Sequence, residues 1–181
     1  MAQYVAFLRA INVGGRIVKM AALAAHLGTL GATRVRTHIA SGNVIFDSAA
    51  RSPVRLAATL EDGLEPLLGF RSEVFLRRAD EVVAIAERGR RWSDEAGPET
   101  CLHIGFLAAP PAPANVAAIQ ALRSEVDAFR VEGSELVWSI RGLVTDSLIS
   151  GPKIERALGG RVTFRKAGML HGLAEALGKK P

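Results

Sequence analysis

The chain has 181 residues, of which 49% are hydrophobic, and carries a formal net charge of +5 with an isoelectric point near 10.0. This composition supplies a core for one domain or two small ones, which excludes a disordered chain, and no apolar run approaches the ~18 residues of a membrane span. The charge is spread along the chain, so nucleic acid is allowed but not indicated, and the single cysteine, Cys101, favours a reducing, cytoplasmic location.

The first part of the chain predicts the element order strand, helix, strand, strand, helix, strand. Apolar patterning predicts strands over residues 4–8, 33–39, 43–47 and 74–77 and a first helix over residues 20–30. Ser52 followed by Pro53 is an N-cap and first-turn signature, and it opens a second helix that carries leucines at four-residue spacing, Leu56, Leu60 and Leu64.

The two middle strands predict a hairpin that turns at Ser41-Gly42. Centring the turn there places Ile39 opposite Val44, Thr37 opposite Phe46, and Arg36 opposite Asp47 as a cross-strand ion pair. Because side chains alternate along a strand, one face is expected to pack and the other to be largely polar and solvated. The packed face carries Val35, Thr37, Ile39, Val44 and Phe46, and the polar face carries Arg34, Arg36, His38, Asn43 and Asp47.

The second part of the chain repeats the same order of elements. A helix over residues 80–89 and a polar loop over 90–98, which contains Trp92, form a connector. Strands at 101–107, 129–132, 135–140 and 161–164 then alternate with helices at 115–126, 149–158 and 169–177. The repetition predicts an α+β fold of two tandem ferredoxin-like (split β-α-β) repeats joined by a helical connector, with boundaries at 1–78, 79–98 and 99–181.

The loop between the first strand and the first helix has the composition of an anion site. Gly14 and Gly15 let the backbone adopt positive φ and let another group approach closely, while Arg9, Asn12 and Lys19 supply hydrogen-bond donors. Free N–H groups and the helix dipole favour negative charge at such a junction. An ordinary tight turn, with Lys19 pointing into water, explains the same residues about equally well.

A second loop is expected to reach the same end of the sheet. The first two strands of a split β-α-β unit run parallel, so the turn Ser41-Gly42-Asn43 projects on the same side as the first loop. This predicts a composite ligand site of Arg9, Asn12, Gly14, Gly15, Lys19, Ser41, Gly42 and Asn43. Taken alone, the second loop is more simply explained as an ordinary turn.

Other kinds of site find little support in the sequence. The first loop matches neither a Walker motif nor a dinucleotide fingerprint, so no cofactor is expected. The four histidines are scattered, which argues against a metal centre. An RNA-recognition sheet would present stacking aromatics, whereas the exposed side of the third strand is expected to carry Asn43, Ile45 and Asp47.

Two separated motifs resemble those of the bacterial domain-of-unknown-function family numbered 1697. They are the segment Tyr4-Val5-Ala6-Phe7-Leu8-Arg9-Ala10-Ile11-Asn12-Val13-Gly14-Gly15 with Val18-Lys19-Met20, and Ser41-Gly42-Asn43-Val44-Ile45-Phe46. The resemblance implies a two-part α+β protein with ferredoxin-like halves and no established activity. It weakens at Ala10, where the family usually has glycine, and in the C-terminal segments Asp146-Ser147-Leu148-Ile149 and Thr163-Phe164-Arg165-Lys166-Ala167.

The leading hypothesis is a cytoplasmic protein, without a membrane partner, that binds a small phosphate- or carboxylate-bearing ligand at the first strand-helix loop. Three alternatives stay open: an enzyme of unknown class acting on such a ligand, a homodimeric structural or interaction module, and a weak nucleic-acid binder. The sequence offers no identifiable nucleophile or general base, so it leaves open whether any reaction is catalysed.

Overall fold

A computed structural model describes residues 1–14, 17–39 and 42–178. These residues form six α-helices and two four-stranded antiparallel sheets, which confirms the α+β class. The chain divides into two compact units, Met1–Val83 with Leu173–Pro181 and then Ala84–Gly172. Among the described helices, none has the length and apolar character needed to cross a bilayer.

The first unit contains the predicted strand and helix order, and its sheet has the strand order β2-β3-β1-β4. Ser52 caps the second helix as expected, because its hydroxyl accepts a hydrogen bond from the Arg55 amide at 3.3 Å. The elements are β1 Ala2–Leu8, α1 Met20–Thr29, β2 Thr33–His38, β3 Asn43–Ser48, α2 Pro53–Leu68 and β4 Val74–Arg78.

The core of the first unit lies between the two helices and one face of this sheet. Leu23 and Leu27 of α1 and the predicted leucine stripe of α2 are buried against alternate strand residues. The strand residues of this cluster include Tyr4, Ala6, Leu8, Val44 and Phe46. Burial of leucine side chains of this kind contributes about 2 kcal/mol each.

The predicted register of the β2–β3 hairpin is wrong by two residues. His38 pairs with Asn43, Thr37 with Val44 and Arg36 with Ile45, not Thr37 with Phe46 or Arg36 with Asp47. The offset is already present at His38–Asn43, the pair beside the turn, so it arises at the turn, where Ile39 and Gly42 have φ values of 49° and 72°. A further irregularity lies between Thr33 and Arg36, where Arg34 has a φ of 50°. Asp47 therefore forms its ion pair with Arg34 instead of Arg36. The predicted turn residue Ser41 lies outside the described residues.

The predicted polar face of β3 is not solvated. Asn43, Ile45 and Asp47 are at most 2% exposed, so all three are buried although two are polar. Asn43 donates from Nδ2 to the His38 carbonyl at 3.2 Å, and Asp47 accepts from Arg34. These partners explain how polar side chains can be buried in this sheet.

The second unit repeats the element order, and its sheet has the equivalent strand order β6-β7-β5-β8. A hydrophobic cluster that includes Ile119, Trp138, Ile140 and Ile154 forms its core. Its elements are β5 Thr100–Phe106, α4 Pro113–Gln120, β6 Asp127–Glu132, β7 Glu135–Arg141, α5 Gly151–Leu158 and β8 Thr163–Lys166. Helices α3 Ala79–Ala96 and α6 Ala167–Gly178 each begin in one unit and end in the other.

The predicted polar loop over residues 90–98 is wrong. Helix α3 continues to Ala96, and Trp92 is buried at 8% exposure with the Arg130 guanidinium 4.7 Å from its ring centroid. The charged residues on either side of Trp92 gave this stretch a loop-like composition. They are instead the solvent face of an amphipathic helix whose apolar stripe includes Trp92.

The predicted helix over residues 115–126 is too long, because α4 ends at Gln120. The reason lies in Ser124, whose hydroxyl accepts bonds from the Val126 and Asp127 amides and donates to the Asp127 carboxylate at 2.7 Å. A serine that bonds to nearby backbone groups offers the chain an alternative to helix. The freed segment leads into β6 and buries Asp127 at its start.

Each unit contains the same pattern of hydrogen bonds at equivalent positions. Leu8 donates from its amide to the Gly42 carbonyl at 2.8 Å, and Leu107 donates to the Ser134 carbonyl at 3.0 Å. Glu61 accepts from the Val74 amide, just as Glu155 accepts from the Val162 amide. Matching these pairs aligns β1 with β5 and β4 with β8, so positions in one unit can be compared with positions in the other.

Candidate functional site

The β1–α1 loop has an unusual backbone. Ala10, Asn12 and Gly14 have φ values of 59°, 55° and 63°, while Ile11 and Val13 between them do not have positive φ. Positive φ costs a non-glycine residue about 1–2 kcal/mol, so Ala10 and Asn12 hold a strained conformation. Concave anion sites formed by successive backbone N–H groups also combine left-handed residues with residues of negative φ.

Asn12 closes this loop. Its Oδ1 atom accepts a hydrogen bond from the Val18 amide at 2.8 Å, across six residues of chain. The Asn12 side-chain oxygen therefore has a structural role, and the loop is held to the start of α1.

Helix α1 begins without a cap from its own N-cap residue. Lys19 is exposed and its side chain makes no capping hydrogen bond, and the first intrahelical bond runs from the Leu23 amide to the Lys19 carbonyl. The amides of Met20, Ala21 and Ala22 precede that bond and have no acceptor within the helix. The start of α1 therefore presents both a positive dipole end and an ammonium group.

Arg9 is fixed at the base of the loop. Its guanidinium lies 3.4 Å from the Glu73 carboxylate, and its backbone bonds both to the Glu73 carbonyl and to the Ser72 hydroxyl. Arg9 and Glu73 are each 31% exposed, so the pair is reachable from solvent. Arg9 thus contributes a paired charge at one side of the loop.

Gly42, at the end of the hairpin turn, lies against the first loop. The Gly42 carbonyl accepts a hydrogen bond from the Leu8 amide, and a side chain at position 42 would stand 2.9 Å from Ile11 Cβ. Gly42, with a φ of 72°, therefore packs directly against the loop. Asn43 is buried and bonded to its own hairpin, so it supports the turn. Gly15 and Ser41 lie outside the described residues.

Exposed apolar side chains surround these two loops, and sequence reasoning missed them. Val13, Ile17 and Ile39 are 63%, 87% and 56% exposed. Large apolar residues in a sequence are ordinarily assigned to the core, and only the positive φ of Ile39 and the loop conformation turn these three outward. Ile39 was expected on the packed face of its strand.

The chemical groups near the two loops include a histidine ring. Burial lowers the pKa of His38, which lies at the β2 end of the turn, so its ring adds no charge near neutral pH. Within the described part of the chain, no group of three or more His, Cys, Asp or Glu side chains could hold a metal ion. The described side chains around the loop are mostly donors or apolar, which suits an anionic ligand.

Comparison with known proteins agrees with the resemblance of the N-terminal motifs. The model of the family "Protein of unknown function (DUF1697)" matches residues 1–137. The chain belongs to this family. The match covers the whole candidate site, and it ends within β7, before the segments after residue 137 that depart from the family pattern.

One solved structure has the same fold as this DUF1697 chain. It is described as "The structure of conserved bacterial protein SP0830 from Streptococcus pneumoniae". The two chains are 22% identical, the match covers 99% of each, and the TM-score is 0.78. Among curated proteins, none matches the chain. The likeness establishes a shared fold and leaves the chemistry of the site to be argued from its residues.

Proposed function

We propose that this protein binds a small phosphate- or carboxylate-bearing ligand at the β1–α1 loop and the adjoining β2–β3 turn. The observation that carries the proposal is the alternation of φ sign through Ala10, Asn12 and Gly14, directly before an uncapped helix N-terminus. Ala10 and Asn12 hold strained conformations where the backbone amides can converge on one point.

The charges around the loop support an anionic ligand. Lys19 is exposed at the helix start, where a cation is otherwise mildly unfavourable by about 0.3–1 kcal/mol. A bound anion would reverse that penalty, because it would contact the ammonium group and the helix amides together. Arg9 would add a guanidinium group at the base of the loop, and an anion would compete there with Glu73.

Gly42 gives the proposed site its second wall. The turn is pinned to β1 through the Leu8–Gly42 bond and packs on Ile11, so a ligand on the loop would also meet the turn. Of the eight residues predicted for the site, Lys19, Gly14 and Gly42 are proposed to face the ligand, Asn12 and Asn43 to shape the loops, and Arg9 to contribute charge. Gly15 and Ser41 stay predictions.

Calorimetric titration with inorganic phosphate, pyrophosphate, a nucleoside triphosphate and citrate tests the proposal. We expect saturable binding of at least one of these anions, and a loss of about tenfold or more in affinity for Lys19→Ala, since a charge-assisted hydrogen bond contributes about 1.5–3 kcal/mol. Arg51→Ala is the matched control, because Arg51 is an exposed cation elsewhere in the first unit. If the affinity falls equally in both variants, the loss reflects the net charge of the protein alone, and the site is refuted.

The exposed apolar residues favour one second candidate, a homodimeric interaction module. Val13, Ile17 and Ile39 would become buried if two copies met at these loops. Light scattering of the wild type and of Ile17→Ser distinguishes the two functions. A dimer that dissociates in Ile17→Ser, while anion binding is unchanged, would favour assembly over ligand binding at this surface.

We also propose that the chain contains two ferredoxin-like repeats, over residues 1–78 and 99–181, joined by a connector over residues 79–98. The strand orders β2-β3-β1-β4 and β6-β7-β5-β8 support this, because both place the first and third strands of a split β-α-β unit side by side. A cytoplasmic location is proposed on the single cysteine, which needs no oxidising compartment.

A further inference from the structure

The second unit has a pocket at the position equivalent to the first-unit loop. It lies beyond the end of β5, between the β5–α4 connection and the end of α5, and has a volume of about 300 Å³. Its walls include Leu107, Ala108, Pro110, Asn115, Gly160 and Arg161. This volume is at the lower end of the range for small-molecule sites.

The pocket opens where Ala108 and Gly160 replace larger residues of the first unit. The shared hydrogen bonds make Leu107 equivalent to Leu8, so Ala108 stands where Arg9 stands in the first unit. Likewise Val162 is equivalent to Val74, so Gly160 and Arg161 stand in place of Ser72 and Glu73. The Arg9–Glu73 pair and the Ser72 hydroxyl fill this position in the first unit, and no equivalent side chains fill it in the second.

The frame of the pocket is held by defined contacts. Asn115 donates from Nδ2 to the Ala157 carbonyl at 2.9 Å, which ties α4 to α5. Arg161 donates a hydrogen bond from Nη1 to the Glu155 carboxylate at 2.8 Å, and Glu155 also accepts a hydrogen bond from the Val162 amide. The Arg161 side chain is 61% exposed and the Glu155 side chain 13%, so the pair presents its cationic member outward.

The lining determines the class of ligand. Leu107, Pro110 and Leu158 provide apolar surface, and Arg161 is the ionised side chain among the residues that line this pocket. An apolar cleft with one guanidinium group matches a compact apolar molecule that carries one anionic head, since arginine pairs with carboxylate and phosphate in bidentate geometry.

We propose that this pocket is a second ligand site, which takes a small apolar molecule with a single carboxylate or phosphate group, the head on Arg161 and the body against Leu107 and Pro110. The site is separate from the β1–α1 loop and does not depend on the function proposed there. Its ligand differs in kind, because the first-unit loop offers backbone amides and an ammonium group instead of an apolar cleft.

Titration of the isotopically labelled full chain with benzoate, phenyl phosphate and the neutral benzyl alcohol, followed by two-dimensional amide NMR, tests this site. We expect saturable shifts at Ala108, Ala109 and Gly160 with one or both anions and none with benzyl alcohol. The stronger of the two anions identifies the head group. Shifts of equal size with benzyl alcohol, or no saturable shift with either anion, would overturn the proposal.

Two variants and a matched control sharpen the test. Arg161→Gln should weaken the binding by about tenfold or more, since a charge-assisted pair is lost. Ala108→Arg should abolish it by restoring the side chain of the first unit. Arg71→Gln is the control, because Arg71 makes the same kind of pair with Glu61 in the first unit, at 3.1 Å. Binding unchanged in both pocket variants, or lost equally in Arg71→Gln, would refute the assignment.

Discussion

Asp127 is a carboxylate of the second unit that accepts four hydrogen bonds. One oxygen accepts from Trp138 Nε1 at 2.9 Å and from the Ser147 hydroxyl at 2.6 Å, and the other from Ser124 and the Leu148 amide. Burial opposes its ionisation, but these bonds outweigh burial and hold the pKa of Asp127 below its ordinary value. Asp127 therefore ties β6, β7 and the loop before α5 to one another.

Asp127→Asn should lower the free energy of unfolding at pH 7 by roughly 3 kcal/mol, because an amide nitrogen replaces an oxygen that serves two donors. Since the folded pKa is depressed, the contribution of the carboxylate is present above the unfolded value of about 3.9 and is lost as the pH falls through the folded pKa. Urea unfolding at neutral and acidic pH measures both effects.

The control for this carboxylate is Asp146→Asn. Asp146 is exposed and accepts from the Leu143 amide, a bond that asparagine can retain, so we expect a change below about 0.5 kcal/mol. A stability gap between wild type and Asp127→Asn that does not narrow below about pH 4 would contradict the role given to the ionised form.

Two glycines of the candidate site predict different costs. Gly14→Ala should destabilise the chain by about 1 kcal/mol, because its φ of 63° is left-handed but nothing lies within 4 Å of the added methyl group. Gly42→Ala should cost roughly 3 kcal/mol, because the methyl group would also stand 2.9 Å from Ile11 Cβ. Thermal unfolding measures both, and equal losses would show that the turn does not press on the loop.

The C-terminal part of helix α3 has a charged composition that is typical of a loop. Arg91 is exposed in the part of α3 that its charged composition had assigned to a loop. Arg91→Pro should lower stability by about 3 kcal/mol, because proline removes a helical hydrogen bond, whereas Arg91→Ala should be nearly neutral. Unfolding curves in which both variants match the wild type would contradict a continuous α3.

The elements that the sequence predicted well are those with local signals. Ser52-Pro53 starts α2 and the leucine stripe that follows is buried, because cap and spacing act within a few residues. The failures depend on interactions that no local pattern encodes. Ser124 ends α4 through a contact with Asp127, and the β2–β3 register is set at the turn, where Ile39 and Gly42 have positive φ. Trp92 is buried in a helix whose contact with Arg130 of β6 is distant in sequence.

Across the whole molecule, the two units have equivalent backbone hydrogen bonds. They differ in the side chains at the end of the first strand of each unit. The sequence indicated the loop at Gly14 from its composition, and the common end of the sheet for the two loops from strand direction. The sequence could not indicate the positive φ of Ala10. It also could not indicate the second-unit pocket, because the strand pairing is needed to show that Ala108 occupies the position of Arg9.

The proposed anion site consists of the start of α1 and the loop before it. Titration of the labelled protein with pyrophosphate, followed by amide NMR, tests this site. We expect saturable shifts of the Met20, Ala21 and Ala22 amides that disappear in Lys19→Ala. Amides at the start of α1 that stay in place while pyrophosphate is raised to saturating concentration, or that shift identically in Lys19→Ala, would contradict it.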